Sequence, residues 1–195
     1  MAAKIVMGIV GPTRSGKDTV AEWLVENRGY RRFAIADRIK DEYFSKIAIT
    51  SQKFEQFKGT DREQELRDGL WQYSDSVKAK HGKDWFVDRV FDEISGCEDH
   101  AIITDIRTQT ELNVARWRGA AILLVFGKQH APPGDRSETI PGSRLFWNQV
   151  KPHFQIANTG TIERLYEKVK NLHEEIDNVR NVRNGRELPI DIAHT

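Results

Sequence analysis

The 195-residue sequence predicts an α/β domain with a mainly parallel sheet. Short apolar runs alternate with amphipathic stretches, the order of elements that covers a parallel sheet with helices. The runs are near-continuously hydrophobic, as strands are when both sheet faces are buried. The first run ends in a glycine-rich loop that opens a helix.

In chain order the strands are "KIVMGIVG" (4–11), "FAIAD" (33–37), "AIITD" (101–105), "AAILLVF" (120–126) and "FQIAN" (154–158). After the glycine loop, Val20, Ala21, Leu24 and Val25 share one helix face. Leu66, Leu70, Tyr73 and Val77 step by four, three and four along another helix. Ile162, Leu165, Val169, Leu172, Ile176 and Val179 form the longest stripe, on a C-terminal helix otherwise rich in charge. Residues 49–83 contain no strand pattern and read as an all-helical insert. Residues 128–152 hold four of the six prolines and show no period, which predicts a functional loop such as a lid. The tail after Asn184 is either loose or an oligomer contact, so a homodimer is possible.

Composition narrows the function. Lys and Arg total 30 against 29 acidic residues, so the whole chain has no attraction for nucleic acid or an anionic membrane. A lone cysteine, Cys97, leaves no intramolecular disulfide or cysteine-rich zinc site and suits a reducing compartment. The opening "MAAKIVMGIVG" is too quickly interrupted for a signal peptide, and "AAILLVF" is far short of a membrane span. The expectation is a soluble, cytoplasmic protein.

Gly11 through Lys17 matches G-x-x-x-x-G-K, after a strand and opening a helix. The chemistry needs that placement. Glycines let backbone N–H groups face a phosphate, the helix start adds partial positive charge, and the Lys ammonium neutralises the β and γ oxygens. Asp18 stands where Ser or Thr usually ligates Mg²⁺, with Thr19 next. A carboxylate is a hard oxygen ligand, so Asp18 either holds the metal or is simply a helix-start acid favoured by the dipole. Asp105 closes the third strand, with Arg107 two residues on. Ligands of open α/β sheets collect beyond strand carboxyl ends, so Asp105 either orients metal-bound water or caps a helix.

"GPTRSGKDTVAEWL", "FAIADRIK", "ITDIRTQTELNVARWRGAAILLV", "DRSE" and "FQIANTGTIERL" together resemble the phage-type deoxynucleoside monophosphate kinases. They are also similar to the animal-type phosphomevalonate kinases. The resemblance implies a three-layer P-loop fold of the nucleoside monophosphate kinase type, as one domain over 1–195, with 49–83 binding the acceptor and 128–152 as lid. It implies ATP held by Gly11, Thr13, Arg14, Ser15, Gly16, Lys17, Asp18 and Thr19, with Asn158, Thr159 and Gly160 against the adenine. It puts Mg²⁺ near Asp18 and Asp105. It puts the acceptor near Asp37, Lys40, Arg67, Trp71, Gln72, Trp85 and Arg107. Lys17, Asp18, Arg107 and the lid cation Arg136 would serve the transfer itself. Arg136 stands where the family often has His.

The expected activity is transfer of the ATP γ-phosphoryl group to a (deoxy)nucleoside monophosphate. Phosphomevalonate or another small phosphate is the alternative acceptor, and a nucleotide-dependent ATPase switch the alternative class. A GTPase would need a guanine-reading N-K-x-D, which does not occur here.

Overall fold

The structure, a computed structural model, describes residues 4–127 and 150–183, with side chains to Asn178. Five strands form one sheet in the order β2-β3-β1-β4-β5: β1 Val6–Val10, β2 Tyr30–Phe33, β3 His100–Ile103, β4 Ala121–Gly127 and β5 Phe154–Asn158. Every pairing is parallel, with Gly8 beside Ile103 and Ile122, and Gly127 beside Asn158.

The helices are α1 Lys17–Arg28, α2 Ile35–Lys46, α3 Ser51–Gln56, α4 Asp61–His81, α5 Trp85–Ser95, α6 Gln109–Trp117 and α7 Ile162–Arg183. They cover both sheet faces because the strand residues alternate between two cores. Met7, Ile9, Ile102, Leu123 and Val125 pack against Val20, Ala21 and Leu24 of α1 and Leu165 and Val169 of α7. Val10, Ala101, Ile103 and Ile122 pack on the other face against Ile35, Phe86, Val90 and Leu112. Each fully buried Leu, Ile or Phe contributes about 1.5–3 kcal/mol, which makes these two layers the main source of stability. Phe44, Phe54 and Leu66 form a smaller core under α2, α3 and α4. Among the described residues no helix is long and apolar enough to cross a membrane.

The five-stranded fold class read from the sequence is borne out, with local corrections. The second strand ends at Phe33 instead of starting there. "FAIAD" is apolar because it straddles a strand end and a buried helix start, with Ile35 only 3% exposed. Arg31 and Arg32 are exposed between buried Tyr30 and Phe33, which an edge strand tolerates. The third strand ends at Ile103, so Asp105 lies beyond it. Val25 is exposed, although Val20, Ala21 and Leu24 are buried. Ile162 is likewise exposed at the start of the α7 stripe.

Candidate active site

The glycine loop leaves the central strand β1 and turns tightly against its neighbour. Gly11 has φ 152, and a Cβ there would lie 2.0 Å from the Val125 carbonyl oxygen of β4. No other residue fits. Arg14 (φ 61) and Gly16 (φ 97) are left-handed, the kind of turn from which successive N–H groups form anion-binding concavities. Gly16 is the N-cap of α1 and brings no side-chain hydrogen bond, so the first-turn amides keep the positive end of the helix open to an anion. Lys17 folds back over the loop and donates to the carbonyls of Gly11 (2.9 Å) and Pro12 (2.6 Å). Ser15 is buried, and among the described residues its hydroxyl has no partner. An orphaned hydroxyl in a loop that a Cβ would fill is the setting a phosphate group fits.

Asn158, at the end of β5, reaches into this loop. Its Nδ2 donates to the Ser15 carbonyl at 3.0 Å. Thr159 and Gly160 follow as exposed positions leading to α7.

The end of β3 splits its side chains between the two layers. Thr104 extends the ladder by donating its N–H to the Phe33 carbonyl at 3.2 Å. Alternation from Ile102 therefore puts Thr104 on the α1 face, buried, with its hydroxyl unpartnered among the described residues. Asp105 turns to α2 instead. Its two carboxylate oxygens accept the N–H groups of Ile35 (2.8 Å) and Ala36 (2.7 Å). Burial, with the Glu111 carboxylate nearby, holds its carboxyl above the ordinary carboxylate value against the pull of those two N–H bonds and of Arg107. So the capping alternative for Asp105 is met at α2, which follows the neighbouring strand β2, and not at the helix that comes next in the chain. That next helix, α6, is capped by Thr108, and the Glu111 carboxylate accepts the N–H groups of Arg107 (2.8 Å) and Thr108 (2.9 Å). Arg107 is exposed there, and its guanidinium has no hydrogen bond among the described residues.

Asp37 and Lys40 share the start of α2. Asp37 accepts from Arg32 at 3.0 Å and from Lys40 at 3.5 Å. On α4, Arg67 is engaged with Glu63 through Nη2 (2.7 Å) and Nε (2.8 Å) and lies over the Phe54 ring. Trp71 is 44% exposed, so it is a surface aromatic and not core. Gln72 is exposed beside it. Trp85, at the start of α5, stacks with the ring of His81 (4.2 Å) and has the Arg89 guanidinium over its ring (5.2 Å). Tyr73 is half-buried, and its hydroxyl donates to Glu42 at 3.0 Å. Burial and that bond raise its pKa.

Asp18 is exposed on the first turn of α1, beside half-buried Thr19, and no hydrogen bond to its carboxylate occurs among the described residues. It is an unengaged hard oxygen donor one residue from Lys17, which fits a role toward Mg²⁺. Residues 128–149 of the expected lid, Arg136 among them, lie outside the described residues, while Val150 at its end packs into the core. Sequence reasoning missed Glu63 as the partner of Arg67, although i,i+4 spacing signals it. It also missed Gly69, where a Cβ would meet the Tyr43 hydroxyl at 2.0 Å. That glycine is what lets α2 pack on α4.

A glycine loop at the carboxyl end of a central parallel strand, opening an uncapped helix, defines the phosphate site of P-loop phosphotransferases. Residues 4–70 match the family model described as deoxynucleotide monophosphate kinase. A protein of Acanthamoeba polyphaga mimivirus, provisionally named a deoxynucleotide monophosphate kinase, is 21% identical over 85% of this chain and 94% of its own length. Among solved structures, dephospho-CoA kinase from Campylobacter jejuni aligns at TM-score 0.54 and 12% identity, covering 89% of this chain and 97% of that one. TT1252 from Thermus thermophilus aligns at 0.50 and 19%, covering 89% and 98%. Those two likenesses bear on the fold alone. The chain carries the P-loop fold, and the resemblance to deoxynucleoside monophosphate kinases read from its sequence is borne out by the family model and the mimivirus relative.

Proposed function

We propose that this kinase transfers the ATP γ-phosphoryl group to a deoxynucleoside monophosphate, giving the diphosphate. The observation that carries the reading is the loop itself. Gly11 wedged against Val125, the orphaned Ser15 hydroxyl and the uncapped start of α1 shape one anion cradle, with Arg107 two residues beyond Asp105. The family match over 4–70 and the mimivirus relative support a deoxynucleotide as acceptor.

Phosphoryl transfer asks for positioning and charge more than for covalent chemistry. The loop from Gly11 to Thr19, including Thr13 and Arg14, holds the ATP phosphates. Lys17 exchanges its loop carbonyls for phosphate oxygens. Asp18, with Thr19 beside it, would hold Mg²⁺ directly or through water, and the metal, when bound, would neutralise phosphate charge. Asp105 keeps α2 in place, and the lone pair left on each oxygen would let it serve as a hydrogen-bond acceptor beside Mg²⁺. Arg107 bridges the phosphates; Arg136, the further cation expected for the transfer, lies outside the described residues. Asp37, Lys40, Arg67, Trp71 and Gln72 serve the acceptor: cation to phosphate, indole to base face, amide to base edge. Trp85 adds a further aromatic surface for the base.

A coupled assay of ADP release with dAMP, dGMP, dCMP, dTMP and phosphomevalonate tests the acceptor. Turnover that requires a deoxynucleoside monophosphate is expected. Turnover with phosphomevalonate alone contradicts the reading, and ADP release that ignores the acceptor marks a nucleotide switch.

A further inference from the structure

The geometry points to Asn158 as a positioning residue for the phosphate loop, acting from the end of the edge strand through the Ser15 carbonyl. This rests on reading the loop as the ATP phosphate site.

The contact is specific in its chemistry. A carbonyl oxygen accepts only from a donor, so the Asn158 atom 3.0 Å from Ser15 O is the amide nitrogen. The same nitrogen fixes the space beside Gly16, where an added Cβ would lie 2.5 Å from Nδ2 and 3.4 Å from Cγ. Gly16 therefore seats the Asn158 amide flat against the residue that opens α1. A third segment closes the junction. A Cβ at Gly127 would lie 3.1 Å from the Asn158 carbonyl oxygen and 3.8 Å from the Ser15 carbonyl oxygen. Gly127 and Asn158 are register partners of β4 and β5, so the two strand ends and the loop meet at one point.

The strut is rooted. Lys168 of α7 donates to the Ala157 carbonyl at 2.6 Å, and Leu165 packs beneath Gly16 with its Cδ2 3.7 Å from the position of an added Cβ. Within the loop, Ser15 N–H donates to Pro12 at 3.2 Å and Lys17 to Gly11 and Pro12, bonds that leave the Ser15 carbonyl to Asn158. When Lys17 releases its two loop carbonyls to meet phosphate, the Ser15 N–H bond to Pro12 and the bond from Asn158 stay, and the one from Asn158 braces the loop from outside it. It holds the left-handed Gly16 turn, and with it the amides of the cradle, in the shape that receives an anion.

An adenine contact at Asn158 and a loop strut differ in which part of ATP feels the change. The test compares the full chain with Asn158→Ala and Asn158→Asp by calorimetry, using three probes: ATP, inorganic tripolyphosphate and adenosine. Asn158→Asp keeps the shape but faces the Ser15 carbonyl with an oxygen, so it is the stronger perturbation. Tripolyphosphate and ATP should lose affinity by the same factor, about three- to tenfold for Asn158→Ala, the range of one neutral hydrogen bond, and more for Asn158→Asp. Adenosine binding should stay unchanged. Steady-state kinetics should show a raised KM for ATP with the acceptor KM unaltered. Unchanged tripolyphosphate affinity with weakened ATP and adenosine would make Asn158 a base contact and overturn the inference. Equal loss for all three probes, or lowered melting temperatures that account for the loss, would make it a structural residue and overturn it too. If the unaltered chain binds ATP but not tripolyphosphate, the phosphate-site reading itself fails first.

Discussion

The carboxylate of Asp105 accepts the backbone N–H of Ile35 at 2.8 Å, joining the end of β3 to the start of α2. Its second oxygen takes the N–H of Ala36, so one side chain satisfies two amides that α2, with Ala34 as its N-cap, leaves without a side-chain partner. Asp105→Ala strands both, which costs about 1–3 kcal/mol. Denaturant midpoints without nucleotide should fall accordingly. Because α2 carries Asp37 and Lys40, the acceptor KM should rise more than the ATP KM. A variant of full stability whose only defect is in magnesium dependence would instead make Asp105 a metal residue alone.

Arg67 is paired with Glu63 in the structure and must exchange that carboxylate for an acceptor phosphate. Surface ion pairs of this i,i+4 kind are weak, so a phosphate can displace the carboxylate. Glu63→Gln should therefore lower the acceptor KM modestly, by about twofold. Arg67→Ala should raise KM for every acceptor. An Arg67→Ala enzyme with unaltered acceptor KM would place the phosphate elsewhere.

The same carboxylate gives a pH expectation. The Gly59 amide first, and then Arg67, hold Glu63 below its ordinary value of 4.5. A carboxyl depressed on folding adds stability above its unfolded pKa and loses it as pH falls through the folded value. Melting curves taken from neutral pH down through the glutamate range should show the gap between the unaltered chain and Glu63→Gln closing only on the acid side. A gap constant across that range would contradict the assignment.

Which parts were legible follows from what decides each element. The central strands and the glycine loop were read correctly because burial on both faces leaves little choice of residue. The edge strand was misplaced because apolar "FAIAD" marks where the chain dives under the sheet edge, while the strand itself carries exposed Arg31 and Arg32. Asp105 was legible as an acid beyond a strand end, but not its partner. A side chain capping a helix seventy residues back in sequence leaves no local pattern. Asn158 was singled out through the family resemblance, yet the Ser15 carbonyl it holds lies 143 residues away and no spacing could signal that.

Asp18 is exposed and unengaged among the described residues, one position after Lys17. Asp18→Asn should flatten the response to a magnesium titration and cut turnover. Binding of an ATP analogue without metal should be unchanged or tighter, since a negative charge has been removed from beside the phosphates. Unaltered kinetics across the titration would leave Asp18 as a helix-start acid only.

Lys17 anchors the central claim, that the loop from Gly11 to Thr19 holds the phosphate that is transferred. The most direct measurement is phosphorus NMR of ATP mixed with a deoxynucleoside monophosphate, followed with the unaltered chain and with Lys17→Ala. The unaltered chain should convert both into diphosphates, the new β-phosphate signal growing in step with loss of the ATP γ signal. Lys17→Ala should slow that conversion on the order of 10²-fold or more, as removal of one preorganised charge-stabilising group does. Inorganic phosphate in place of the deoxynucleoside diphosphate, or a Lys17→Ala chain that converts at the unaltered rate, would contradict it.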